Sequence, residues 1–161
     1  MGTSMEIERK FVPPERPEWL DDFPSVRIRQ GYLAIVEGQV EVRLRRTDDA
    51  TVLTVKRGAG QVRREEEVDL GEDQFRSLWP LTEGARVEKR RYTVPHEELT
   101  IEFDVFEGPL SGMLLAEVEF DSERASEAFR PPEWLGDEVT GDGRYANESL
   151  ALRGAPKEAK R

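Results

Sequence analysis

Leu114-Leu115-Ala116-Glu117-Val118-Glu119-Phe120 puts Leu114, Ala116, Val118 and Phe120 on one side of an extended chain and Glu117 and Glu119 on the other. Side chains of a strand point to opposite faces in turn, so the two glutamates stand on one face, two residues apart. The same alternation recurs along the chain. Met5, Ile7 and Phe11 oppose Glu6, Glu8 and Lys10, while Val42 and Leu44 oppose Glu41, Arg43 and Arg45. Leu53 and Val55 oppose Thr54 and Lys56, and Val62, Val68 and Leu70 oppose Arg63, Glu65 and Glu67. Lys89 and Arg91 share a face, and Ile101, Phe103 and Val105 oppose Glu102 and Asp104.

Working outward, the period-two segments are Met5–Val12, Ser25–Val36, Gln39–Arg46, Ala50–Arg57, Gln61–Leu70, Arg86–Val94, Leu99–Phe106 and Met113–Phe120. Turn residues separate them: Glu37-Gly38, Asp48-Asp49 and the Gly58-Ala59-Gly60 hairpin signal. Short helices are predicted over Asp73–Trp79, stopped by Pro80, from a cap at Asp121 or Ser122 through Phe129, and over Arg144–Leu152. Pro17–Asp22 reads as one helical turn, and Pro17-Glu18-Trp19-Leu20-Asp21 is echoed by Pro132-Glu133-Trp134-Leu135-Gly136. About eight strands in one domain favour a closed barrel, because closure removes sheet edges. The working unit is residues 5–152. Residues 1–4 read as a tag or disordered start, and 153–161 as a disordered tail.

Of 161 residues, 36% are charged, well above the ~25% of ordinary soluble domains. The formal net charge of −10 disfavours nucleic acid and anionic membranes as partners. With no cysteine and one histidine, thiolate and zinc sites are excluded, and any metal is a hard one held by oxygen. Neither a membrane span of ~18 apolar residues nor a signal-peptide core is visible, so the expectation is a cytoplasmic protein, monomer or homodimer.

Two arrangements satisfy the alternation. In one, the apolar faces form a core and the charged faces meet water. In the other, the charged faces line a lumen and the short helices cover the apolar outside. Same-sign doublets (Glu6/Glu8, Arg43/Arg45, Glu65/Glu67, Lys89/Arg91, Glu117/Glu119) favour the second, because like charges on one face repel unless an opposite charge lies between them. Clustered carboxylates hold Mg2+ or Mn2+, and clustered Arg and Lys take phosphate oxygens, the combination that polyphosphate chemistry needs.

Glu6-Ile7-Glu8-Arg9-Lys10, followed in order by Val42-Arg43-Leu44-Arg45, Thr54-Val55-Lys56, Glu65-Glu66-Glu67, Lys89-Arg90-Arg91-Tyr92, Ile101-Glu102-Phe103-Asp104 and Ala116-Glu117-Val118-Glu119-Phe120, resembles the CYTH superfamily, the triphosphate tunnel metalloenzymes. Gln30-Gly31-Tyr32-Leu33 and Arg144-Tyr145-Ala146-Asn147 also look like family positions. The resemblance implies a mainly β (α+β) fold: a closed eight-stranded antiparallel β-barrel, or tunnel, with a charged lumen and short helices packed outside. It also implies a divalent-metal-dependent triphosphatase releasing orthophosphate from inorganic tripolyphosphate or a related short polyphosphate, with Mg2+ or Mn2+ as cofactor.

It places Glu6, Glu8, Asp104, Glu117 and Glu119 as metal-binding carboxylates. Lys10, Arg43, Arg45, Lys56, Arg91 and Arg144 are implied to bind the phosphates. Glu6, Glu8, Lys89 and Tyr32 are the candidate catalytic residues, Tyr32 resembling one half of a Lys–Tyr pairing with Lys89. Two alternatives stay open on the sequence: activity on an organic triphosphate (class IV adenylate cyclase, thiamine triphosphatase or nucleoside triphosphatase), and a non-catalytic polyphosphate-binding module.

Overall fold

The computed structural model describes residues 7–48, 50–58 and 64–157. Asp49, the Ala59-Gly60 part of the expected hairpin turn and the ends of two expected strands (5–6 and 61–63) lie outside the described residues, as do 1–4 and 158–161. The strands are β1 (Ile7–Val12), β2 (Ser25–Val36), β3 (Val40–Thr47), β4 (Ala50–Arg57), β5 (Arg64–Asp69), β6 (Arg86–His96), β7 (Leu99–Glu107), β8 (Leu114–Phe120) and a two-residue β9 (Asp137–Glu138). They form one mainly antiparallel sheet in the order β5-β4-β3-β2-β6-β7-β8-β1-β9. Among the described residues no ladder joins β5 to β9, so the sheet has two edges. The ninth strand was not expected; it pairs Phe11 with Glu138 and Val12 with Asp137, where no alternating run announced it.

The sheet's apolar face carries the main core. Ile101, Phe103, Ala116, Val118 and Phe120 are buried there with Phe11, Leu20, Phe129 and Leu135. The two echoed Glu-Trp-Leu turns meet on this face, Trp19 and Trp134 packing edge to face at 4.8 Å. Helix α1 (Glu72–Leu78) docks on the same side of the sheet. Its Phe75 lies under the Arg46 guanidinium at 4.6 Å, and the adjoining Trp79 lies under Arg29 and Arg86 at 4.8 and 4.5 Å. Arginine planes on aromatic faces explain how a partly charged strand surface is covered by a helix. Helix α2 (Glu123–Ala128), started by a Ser122 side-chain cap, also sits outside, where Arg9 donates to the Ser126 and Phe129 carbonyls.

The terminal helix differs from expectation. Helix α3 (Asn147–Arg153) packs on the other face of the sheet, its Leu150 joining Tyr145 against Val87, Phe106 and Leu115. By register those three belong to the face that carries the charges. The reason is local: at this end of the charged face the inward positions are apolar and need a cover. The chain continues past α3 to a buried Pro156. No helix among the described residues is long and apolar enough to cross a membrane.

Gly31 shows how closely the outer layer is fitted. A Cβ there would lie 2.5 Å from Thr82 Oγ1 and 2.6 Å from Thr82 Cβ. Gly31→Ala is expected to destabilise the fold by about 1–3 kcal/mol through overpacking. Gly143→Ala, with nothing within 4 Å of the added atom, is expected to be near neutral. Urea unfolding of both variants checks this; equal effects would contradict the packing described.

Candidate functional site

Residues directly opposite in an antiparallel ladder share a face, so the registers trace the charged face strand by strand. Glu8 lies opposite Glu119 and Lys10 opposite Glu117. Glu117 lies opposite Glu102. Asp104 lies opposite Arg91, and Lys89 opposite Phe106 and Ile28. Gln30 lies opposite Arg45 and Tyr32 opposite Arg43. Arg43 then faces Thr54, and Glu41 faces Lys56; Thr54 and Lys56 face Glu67 and Glu65. One continuous face therefore carries nearly all the expected site residues, from β5 to β1. Glu6 lies outside the described residues.

The face is divided by charge. On β8 and β1 it is acidic: Glu102, Glu117, Glu119, Glu98 and Asp121 border a cavity of about 270 Å³. On β3 and β4 it is basic. Arg43 stands 3.8 Å from Glu41, and its buried Nε has no acceptor among the described residues. Arg45 is held through Nε by Gln30 at 2.7 Å. Burial, then the like charges of Arg43 and Arg91, pull the Arg45 pKa below its ordinary value, so Arg91 is felt across β2. Lys56 pairs with Glu65 at 3.6 Å, and Thr54 donates to Glu67 at 3.5 Å, which gives those two glutamates supporting roles.

Between the two zones lies a buried ionic cluster. Arg91 donates to both Asp104 oxygens, at 2.8 and 2.9 Å, and Lys89 Nζ reaches Oδ2 at 2.8 Å. Lys89 and Asp104 are each 1% exposed. Burial raises the Asp104 pKa, but the two cations overcome it and hold the carboxyl below its ordinary range. Burial and the competing Arg91 lower the Lys89 pKa, against the pull of Asp104. Burial also disfavours the Arg91 charge, but Asp104 and Glu102 outweigh it and raise its pKa. Asp104 serves both cations, and Arg91 also reaches the half-buried Glu102 at 3.4 Å.

Three expectations change. Asp104, expected as a metal ligand, has both oxygens committed to Arg91 and Lys89. Lys89 and Tyr32 do not pair: Lys89 is opposite Ile28, four residues along β2 from Tyr32, roughly 13 Å away along the strand. Arg144, expected on the phosphates, is half-exposed, paired with Asp142 at 2.5 Å, and lines a separate cavity of about 800 Å³ near Glu41 and α3. Lys10 reaches the Tyr145 carbonyl at 3.4 Å.

Two site residues had not been singled out. Glu102, half-buried and 3.4 Å from Arg91, has its pKa raised first by burial, against the pull of Arg91, and then by Asp104, Glu117 and Glu119. Its signal was present, since it shares the Glu102/Asp104 doublet. Gln30, quoted above only within Gln30-Gly31-Tyr32-Leu33 and given no role there, is 1% exposed on the charged face.

The donor set suits a hard cation. Glu102 and Glu117 are directly opposite, with Glu119 beside them, and every donor is a carboxylate oxygen. Among the described residues no three His, Cys, Asp or Glu side chains are gathered closely enough to hold a metal ion on their own.

A model of the CYTH domain matches residues 4–154. An inorganic triphosphatase of Nitrosomonas europaea is 47% identical over 149 residues, covering 91% of this chain and 97% of that one. An inorganic triphosphatase of Acetivibrio thermocellus is 37% identical over 148 residues, covering 90% and 92%. The crystal structure of an inorganic triphosphatase superposes with a TM-score of 0.79 at 44% identity, covering 94% of this chain and 97% of that one.

Asp104→Asn leaves the shape but strands two buried cations, and the expected cost is about 3–5 kcal/mol. Because the folded-state pKa of Asp104 is depressed, its contribution is present above the unfolded value of ~3.9 and is lost as pH falls through the lower folded value. Chemical denaturation at pH 7 and at successively lower pH checks this; the gap between parent and variant is expected to narrow only on acidification below about pH 4. A variant as stable as the parent at pH 7 would contradict the cluster's role.

Proposed function

The chain belongs to the CYTH domain family, and from that premise we propose that it is a divalent-metal-dependent triphosphatase that hydrolyses inorganic tripolyphosphate to orthophosphate and diphosphate. The observation that carries this reading is the charge division of one sheet face: paired carboxylates on β8 and β1, and a buried Arg43 donor without an acceptor on β3. An anion binder gains nothing from the carboxylates unless they hold a cation, and a cation site alone has no use for the arginines.

In this reading residues 5–152 act as one unit, and the sheet coils so that its basic and acidic zones face each other across β6 and β7, forming the wall of a tunnel. The coiling of large twisted sheets supports this. Arg43, Arg45, Lys56 and Arg91 bind the phosphate oxygens, the arginines in two-pronged fashion; Lys10, opposite Glu117, adds a cation within the acidic zone. Glu8, Glu117 and Glu119, with Glu6, hold Mg2+ or Mn2+. When bound, the cation neutralises charge on the phosphoryl group under transfer.

A glutamate of the acidic zone orients a water in line with the terminal phosphoryl group. The water oxygen forms the new P–O bond, its proton passes to a glutamate carboxylate, and the bond to the leaving diphosphate breaks. Asp104 serves this site without touching metal: it fixes the Arg91 guanidinium for the anion. Lys89 acts through the same cluster, because its ammonium is turned to Asp104 and away from solvent.

The test is a substrate screen with tripolyphosphate, ATP and thiamine triphosphate in Mg2+, Mn2+ or EDTA, reading phosphate and cyclic AMP. Metal-dependent phosphate release from tripolyphosphate is the expected result. Cyclic AMP from ATP, or tight binding without turnover, would overturn it. Glu119→Gln is expected to lower turnover on the order of 100-fold or more. Arg43→Ala is expected chiefly to raise KM, roughly tenfold or more, through loss of a charge-assisted contact.

A further inference from the structure

Gln30 and Tyr32 lie two residues apart on β2, on the charged face, at 1% and 4% exposure. Arg45, opposite Gln30 on β3, donates through Nε to Gln30 Oε1 at 2.7 Å. A guanidinium has donors only, so the amide must turn its carbonyl oxygen toward Arg45. Its nitrogen then points the other way and donates to the Tyr32 hydroxyl oxygen at 2.8 Å. An amide nitrogen does not accept, so Tyr32 must accept this bond and send its own hydrogen elsewhere.

No acceptor for that hydrogen is placed among the described residues. Directly opposite Tyr32 is Arg43, whose Nε is a second buried donor without an acceptor. Two donors at one paired position, each lacking a partner, call for an oxygen supplied from outside the chain. The backbone beneath them is pinned: Gly31 admits Thr82 against it from the outer side, and the regular register breaks immediately after Tyr32. Burial, and after it the charges of Glu41 and Glu148, raise the Tyr32 pKa well above its ordinary value, against the smaller effects of Arg43 and Gln30. The phenol is therefore protonated at neutral pH and available as a donor.

We propose that Gln30 is a positioning residue: oriented by Arg45, it occupies the acceptor side of the Tyr32 hydroxyl and leaves the Tyr32 O–H, together with Arg43 Nε, to donate to a phosphoryl oxygen of the bound anion. The proposal rests on the triphosphatase reading above. No proton is transferred at Tyr32; the contact is a hydrogen bond that strengthens as charge develops on the phosphoryl oxygens.

Gln30→Glu separates this from a purely structural role. A glutamate keeps the shape and still accepts from Arg45, but its second oxygen accepts the Tyr32 proton and reverses the bond. Steady-state kinetics on tripolyphosphate with saturating Mg2+ are measured for the parent, Q30E, Y32F and Q30E/Y32F, with thermal melts to establish that each is folded. The expected result is a kcat loss of roughly 10- to 100-fold in Q30E and in Y32F, with KM changed by less than about threefold. The double variant is expected to be no slower than Y32F alone. Gln30→Leu, which removes both bonds without capturing the proton, is expected to lose less kcat than Q30E, and it stands in if Q30E does not fold. Full kcat in Q30E beside a slow Y32F overturns the role of Gln30. Full kcat in Y32F overturns Tyr32 as a donor, and the proposal with it. A parent inactive on tripolyphosphate overturns the reading beneath both.

Discussion

A buried carboxylate shared by two cations sets the terms for the rest of the molecule. Asp104 could not sit 1% exposed as an anion without Arg91 and Lys89, and neither cation could be buried there without it. Moving an ion out of water costs several kcal/mol even after relaxation, and only close, well-directed contacts return it. The β6–β7 register, which puts Arg91 directly opposite Asp104, supplies that geometry. A slip of one residue would carry the whole row of charges to the apolar side. Arg91 also reaches Glu102 on the acidic side, and the like charge of Arg91 is felt by Arg45 on the basic side, so the cluster links the two zones.

From this follows an architecture turned inside out relative to a common sheet domain. The apolar faces of β1, β7 and β8 look outward and are covered by short turns and helices, with the Trp19–Trp134 contact at the centre of that cover. The charged faces look to the opposite side, where the chain itself supplies only part of the counter-charge. At one end of that side the inward positions become apolar, and α3 closes over them beside Gln30 and Tyr32. Charge zones at opposite ends of the strand order become useful only if the sheet coils to bring them together around a shared ligand.

How much of this the sequence carried depends on the kind of information each feature needs. Alternation located every long strand and assigned Glu117, Arg43, Lys56 and Asp104 to one face correctly, because a face depends only on parity. Parity is silent about register. It could not show that Lys89 stands opposite Ile28 and not beside Tyr32, or that Asp104 spends both oxygens on cations. The terminal helix was legible as a helix, but its side of the sheet depended on Val87, Phe106 and Leu115, apolar residues hidden among charged ones. The two-residue β9 offers no periodicity at all. The part Gln30 plays was not legible for a different reason: it comes from Arg45 on one side and Tyr32 on the other, and only the folded chain puts Gln30 between them.

The central claim is that the acidic and basic zones of one sheet face bind a single polyanion together with a cation. A crystal structure of the protein with tripolyphosphate and Mn2+, phased near the manganese edge, tests it most directly. The account predicts phosphate oxygens on Arg43, Arg45 and Arg91, with an anomalous peak against Glu117 and Glu119 that also touches the anion. An anion bound on the outer face, or manganese bound away from the phosphates, would contradict it.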